Sequence, residues 1–245
     1  MPGSGPVPVL ELRDLCWSVG GADIVQGVEL AVAEGEFWAL IGPNGAGKTS
    51  LFNLVSGVNR PTGGAVLLDG RAVQTLPPHR RARLGVARSF QSSLLFPSMT
   101  VAEHVELAAR AGGARGPVDT RPALERVRLA HRRAEPAAEL SHGDKRKLEL
   151  AMLLAPSTAG PRLMLLDEPM AGVASEEVAE LTEVIWELHR GEGRTVLMVE
   201  HHLDIVLGLA DRVAVMHHGR LLAAGAPDEV MADSRVQEAY VGELL

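Results

Sequence analysis

No intramolecular disulfide is possible, because the 245 residues include a single cysteine, Cys16. Such economy fits a reducing compartment, and Cys16 is expected to act as a small buried apolar side chain. Aromatic residues are scarce too: four Phe, three Trp and one Tyr, or 3% of the chain. Single-stranded nucleic acid is gripped by aromatic platforms interleaved with basic groups. No such interleaving is present, so no nucleic-acid partner is expected. Lysine is rarer than the overall charge suggests. Of 24 basic residues only Lys48, Lys145 and Lys147 are lysines. No apolar run approaches the ~20 residues of a membrane-spanning helix. The first eight residues are Pro/Gly-rich with uncharged side chains, unlike a secretory leader.

What remains is an ordinary globular composition, 46% apolar, long enough for one large domain or two small ones. The net charge of −7 is unevenly spread. From Arg71 to Arg133 there are twelve arginines against four acids, a surplus of eight, so the rest of the chain carries −15. A basic segment of this kind faces either water or an anionic partner.

The densest information lies in Gly42-Pro43-Asn44-Gly45-Ala46-Gly47-Lys48-Thr49, which fits the phosphate-loop pattern G-x-x-x-x-G-K-[ST] throughout. An apolar run, Phe37 to Ile41, precedes it and reads as a buried strand; Ser50 to Val55 reads as the start of a helix. A triphosphate needs many donors close together with no bulky side chains between them. Glycines let successive N–H groups turn inward, and the following helix adds the positive end of its dipole. Lys48 would reach the outer phosphates and the Thr49 hydroxyl would hold Mg²⁺. The plain alternative is a glycine turn that carries a lysine.

Further along, strands and helices alternate. Strands are expected at Leu10–Val19 (as an edge strand), Ile24–Val32, Ala65–Leu68, Leu84–Phe90, Leu163–Leu166, Val196–Val199 and Val213–Met216. Helices are expected at Thr100–Ala109, where Thr100 and Glu103 make a capping box, and at 121–134, Lys145–Leu154 and Glu176–Leu188. Such alternation implies a parallel α/β sheet. The mostly helical stretch from about 93 to 159 interrupts it as an inserted subdomain. The expected organisation is a flexible tail at 1–8, a core from 9–92 and 160–245, and the helical insert 93–159.

Leu163-Met164-Leu165-Leu166-Asp167-Glu168 is an apolar strand that ends in two carboxylates. They belong at its exposed C-terminal end, where open α/β sheets bind ligands. Asp167 is the candidate to hold Mg²⁺, through the ion's water shell, since Mg²⁺ dehydrates reluctantly. Glu168 is the candidate to orient the attacking water and take its proton.

Together these motifs resemble the ATP-binding subunits of ABC transporters, over about residues 9–245. The resemblance implies a P-loop NTPase (RecA-like) α/β core with an N-terminal antiparallel β part and an inserted helical subdomain. It also rests on Gln91 in Ser89-Phe90-Gln91, on Leu140-Ser141-His142-Gly143-Asp144 in the place of the family signature, and on His201 after Val196–Val199. By resemblance, Gln91 touches Mg²⁺ or water, and Ser141, His142, Gly143 and Asp144 complete the nucleotide site of a second cassette. His201 contacts the γ-phosphate and holds Glu168. Ser50 completes the phosphate loop. The family places an adenine-stacking aromatic just before Gly20-Gly21, where this chain has Val19. Trp17, two residues earlier on the same strand face, is the candidate replacement; the alternative is a plain apolar role.

His142 and Asp144 depart from the usual Leu-Ser-Gly-Gly-Gln. Asp144 brings negative charge close to a phosphate site, which is unfavourable unless Lys145, Arg146 or Lys147 screens it. Arg88-Ser89-Phe90-Gln91, Leu95 to Val101 and the ending Val236 to Gly242 resemble cassettes of uptake systems for branched-chain amino acids, urea and amides. The resemblance implies ATP and Mg²⁺ as cofactors. It implies a permease and a second cassette as partners, with a solute-binding protein only indirectly, and residence on the cytoplasmic face of the membrane. An export cassette, such as that for lipopolysaccharide, and a non-transport ABC ATPase stay open.

Overall fold

The computed structural model describes residues 7–90, 94–156 and 160–241. Gln91 and most of the expected tail therefore lie outside the described residues. Two sheets organise the rest. The first is antiparallel: β1 (Leu10–Val19), β2 (Ala22–Val32), β4 (Gly63–Leu68) and β5 (Arg71–Ala72), in the order β2-β1-β4-β5. The second contains β3 (Phe37–Ile41), β6 (Val86–Arg88), β7 (Leu163–Asp167), β8 (Val196–Val199), β9 (Arg212–His217) and β10 (Arg220–Gly225). Its order is β10-β9-β3-β8-β7-β6, parallel except for β10.

All five residues of β3 and of β7 are buried, as expected of a parallel sheet covered on both faces. Alternate side chains enter different cores. Phe37, Ala39, Ile41, Met164 and Leu166 join a cluster with the helices, whereas Trp38, Leu40, Leu163 and Leu165 face the antiparallel sheet. The helices are α1 (Lys48–Ser56), α2 (Pro78–Arg83), α3 (Val101–Ala111), α4 (Arg121–Arg126), α5 (His142–Leu154), α6 (Ser175–Trp186), α7 (Leu203–Leu209), α8 (Pro227–Met231) and α9 (Ser234–Val241). Among the described residues, no helix is long and apolar enough to cross a membrane.

Several expectations are corrected. β1 is not an edge strand; it lies between β2 and β4. Its alternation reflects one buried and one wet face, which interior antiparallel strands share. The basic helix 121–134 stops at Arg126: Arg128 adopts φ 61° and a 3₁₀ turn, Ala130–Arg132, follows. Arg128 is held there by Glu183 and Glu187. The strand expected from Leu84 shrinks to β6, because Leu84 closes α2 and Gly85 turns the chain at φ 95°. Pro78 at the first turn of α2 was the overlooked signal. Cys16 is only partly buried, and its Sγ receives the Gly27 N–H at 3.2 Å.

Much of the basic surplus is answered within the chain. Arg88, Arg126, Arg128 and Arg132 pair with Asp167, Glu192, Glu183 with Glu187, and Asp144, all acids outside the Arg71–Arg133 segment. Arg81 is 1% exposed and donates to the carbonyls of Leu54, Val55 and Leu76.

Candidate active site

The phosphate loop runs from the end of β3 into α1, as its glycines require. Gly42 has φ 141°, and a Cβ there would lie 2.1 Å from the Met216 carbonyl oxygen. Gly47, at φ 99°, would meet the Ile24 carbonyl at 2.9 Å. The loop is thus pressed against β2 and β9, and Gly219 N–H, in the β9–β10 turn, donates to Ala46 O at 3.1 Å. Asn44 and Gly45 are exposed, and a side chain at Gly45 would meet nothing. Pro43 is buried. Lys48 is 6% exposed and curls back, its Nζ donating to the carbonyls of Gly42 and Pro43. Thr49 is exposed and Ser50 half-buried on the first turn of α1.

Asp167 and Glu168 end β7 differently. Asp167 is 2% exposed; Arg88 donates to its Oδ2 at 3.0 Å, and its own N–H donates to Ser89 Oγ. Its Oδ1 is buried with no hydrogen-bond partner among the described residues. Burial pushes its carboxyl above the usual range, opposed by Arg88 and Lys48. An expectation of free exposure at the strand end is therefore corrected for Asp167. Glu168 turns out of the strand at φ 48°, a left-handed conformation that side chains seldom adopt, while its N–H still donates to Val199 O. Such strain persists where surrounding contacts hold it, and it clusters at working sites. Here it aims the carboxylate at His201, whose Nε2 lies 3.0 Å from Glu168 Oε1. His202 points to solvent and pairs with Glu200, whose carboxyl burial pushes up.

Ser141 caps α5, its Oγ accepting from Asp144 N–H at 3.1 Å. The Ser141 hydroxyl also donates to Glu177 Oε1, and Gly143 N–H donates to Glu177 Oε2 at 3.3 Å. A carboxylate from α6 thus sits where a helix N-terminus would receive an anion. His142 is exposed. Asp144 is screened by Lys147 at 2.6 Å and by Arg132 at 2.5 Å. Burial alone would raise its carboxyl; together these two cations hold it below the usual range. Lys147 was expected in this role, whereas Arg146 instead reaches the carbonyls of Phe90 and Ala171. Trp17 packs half-buried against the antiparallel-sheet core, and Val19 is 54% exposed. The strand register shifts just after Trp17, so the two do not share a simple alternation.

The ABC transporter family model matches residues 25–171. The chain belongs to the ABC transporter family. It is an ATP-binding cassette, and hydrolysis of ATP is its activity. A second model, the branched-chain amino acid ATP-binding cassette transporter, matches residues 220–243 of the cassette. The high-affinity branched-chain amino acid transport ATP-binding protein LivG of Salmonella typhimurium is 37% identical, over 96% of this chain and 98% of that protein. The lipopolysaccharide export system ATP-binding protein LptB of Acidithiobacillus ferridurans is 36% identical, over 96% and 97%. Among solved structures, a nucleotide-free ATP-binding cassette from an ABC transporter superposes with TM-score 0.86 at 28% identity, covering 95% of this chain and 98% of that one.

Three residues of the cassette escaped the sequence reading as site components: Arg88 behind Asp167, Glu177 of α6 against the signature segment, and Arg132 behind Asp144. Each lies on a different element from the group it serves. Only Arg88, at the end of a strand and beside the glutamine-loop segment, carried a local signal.

Proposed function

We propose that this cassette energises an importer for branched-chain amino acids or related small solutes such as urea and amides. The observation that carries the catalytic part is the Glu168–His201 contact beside a complete phosphate loop. ATP would lie with its phosphates on the amides of residues 42–50. Lys48, released from Gly42 and Pro43, would move to the outer phosphates. Glu168 would orient water for in-line attack on the γ-phosphorus and take its proton as the bond to the bridging oxygen breaks; His201 would hold Glu168 and reach the γ-phosphate.

The residues present fit a hard divalent cation. Asp167 Oδ1 is a buried oxygen without a hydrogen-bond partner among the described residues, and the Thr49 hydroxyl is exposed on the adjoining helix. Asp167, Thr49 and Gln91 would hold Mg²⁺, which neutralises phosphate charge when bound.

Ser141 and Gly143 would meet the nucleotide of a second cassette, so two cassettes close around ATP. A groove of about 200 Å³ lined by Arg88, Phe90, Leu94, Leu95, Met152 and Leu153 is our docking surface for a permease segment on the cytoplasmic face. Phe90 and Leu94 are 46% and 62% exposed there, apolar area that a partner would cover. The match over residues 220–243 favours import of branched-chain amino acids, whereas the 36% identity to LptB favours export. Reconstitution with each kind of permease separates them, since only the correct one stimulates hydrolysis.

The central test is Glu168→Gln. Hydrolysis is expected to fall by at least ~10²-fold, the scale of a lost general base, with ATP still bound and a dimer accumulating. Unchanged turnover would remove Glu168 from this role. Lys48→Ala is expected to weaken ATP binding, and undiminished affinity in a nucleotide titration would refute the phosphate-loop assignment.

A further inference from the structure

Arg88 ends β6 with a side chain only 9% exposed. A guanidinium taken out of water needs acceptors for its donors. Its two terminal nitrogens find them on two parts of the site, while Nε is buried with no hydrogen-bond partner among the described residues. Nη1 donates to Asn53 Oδ1 at 2.7 Å and to Ser56 Oγ at 2.8 Å, both on α1. Nη2 donates to Asp167 Oδ2 at 3.0 Å. The charged carbon lies 5.8 Å from the ring centre of Phe52 and 5.6 Å from that of Phe90, a cation–π range. Hydrogen bonds and rings together leave the fork one orientation.

The consequence falls on Asp167. With Oδ2 engaged, its two oxygens are no longer equivalent, and Oδ1 is the one left without a partner among the described residues. A carboxylate held by one oxygen presents the other in a definite direction. The same guanidinium grips α1, the helix that carries Thr49. Both candidate metal ligands are thereby referred to one rigid group. Ligands supported by an outer partner bind their metal more tightly than unsupported ones.

We propose that Arg88 is a positioning residue for the metal–nucleotide: it holds Asp167 by Oδ2 against α1, so that Asp167 Oδ1 and the Thr49 hydroxyl are presented together to the Mg²⁺ of ATP. This rests on the reading of Asp167 and Thr49 as the metal-binding pair. The plainer role is neutralisation of a buried carboxylate, and the two make different demands. Neutralisation needs only a charge, which lysine supplies. Bridging Asp167, Asn53 and Ser56 needs the planar fork.

The test uses the full chain and ATP titrated by calorimetry, once with Mg²⁺ and once with EDTA. The proteins are the wild type, Arg88→Met, Arg88→Lys and Asn53→Ala. For both Arg88 variants, the gain in ATP affinity conferred by Mg²⁺ is expected to fall by about tenfold or more, the size of a lost outer partner. Affinity in EDTA is expected to stay within about twofold of wild type, because the phosphate loop is untouched. Asn53→Ala is expected to show a smaller loss in the same direction. The Mg²⁺ concentration for half-maximal hydrolysis should rise in parallel. Full metal gain in Arg88→Lys would overturn the proposal in favour of simple neutralisation. Equal losses with and without Mg²⁺ would overturn it in favour of a structural role. Should Arg88→Met fail to fold, the lysine and Asn53 variants decide between the same outcomes. A wild type that gains nothing from Mg²⁺ overturns the metal-site reading and the assignment of Arg88 with it; a wild-type gain that the variants share overturns the assignment alone.

Discussion

Asp144 illustrates what a single residue can tolerate beside a phosphate site. It stands where the family signature carries a neutral amide, and its charge would oppose a nucleotide. Lys147 and Arg132 remove that difficulty by pairing with both oxygens. Because the two cations depress its pKa below the ordinary 3.8, Asp144 contributes stability that is present above that value and is lost as the pH falls through the folded value. Asp144→Asn is therefore expected to destabilise the protein by about 1 kcal/mol near neutral pH, typical of a partly screened pair. The deficit should close at more acid pH, below 3.8. Melting temperatures of wild type and variant, compared at pH 7 and at successively lower pH below 3.8, check this; a deficit that never narrows along that series would mean that packing, not charge, is lost.

At the scale of elements, the phosphate-binding helix depends on a support outside itself. The last carbonyls of α1 have no intrahelical donors. The buried guanidinium of Arg81, on α2, supplies them, donating to Leu54 and Val55 and also to Leu76. Burial lowers its pKa to about 10, so the group remains charged at neutral pH and complements the negative end of the helix dipole. Gly57 is required alongside it, since a Cβ there would come 2.7 Å from Arg81 Nε. Arg81→Met keeps length and apolar bulk but leaves three carbonyls without a donor. A loss of about 3 kcal/mol is expected, because unsatisfied buried acceptors cost more than hydrogen bonds return. Urea denaturation measures it; a loss below ~1 kcal/mol would show that water replaces the guanidinium.

Over the whole molecule, the telling contact is that of Glu177, on α6, with the signature segment. Its carboxylate engages the Ser141 hydroxyl and the Gly143 amide, the donors that a second cassette's nucleotide would use. On the proposed function, closure of two cassettes would have to displace it. Glu177→Ala is expected to tighten the ATP-dependent dimer in the Glu168→Gln background by roughly tenfold, about one charge-assisted hydrogen bond. Analytical ultracentrifugation with ATP reads this directly, and a weakened dimer would show instead that Glu177 shapes the signature segment for closure. The apolar groove proposed to receive the permease belongs to this scale as well. Leu94→Asp should leave ATP hydrolysis by the isolated cassette near wild type and abolish stimulation by a permease, as a buried unpaired charge costs several kcal/mol. Stimulation that survives the substitution would place the permease elsewhere.

Contiguous residues carried most of the catalytic assignment. The phosphate loop, the capping box at Thr100 and the apolar strand before Asp167 were legible because spacing, glycine placement and a strand's length are local properties of the chain. Folding alone decided who stands next to whom. Arg88 and Asp167 are 79 residues apart, Ser141 and Glu177 are 36 apart, and Arg132 reaches Asp144 only through the turn that ends α4. The interior place of β1 and the partial exposure of Cys16 have the same origin. Alternation and composition constrain the face a residue occupies, but a hydrogen-bond partner is chosen by long-range packing, which no local pattern specifies.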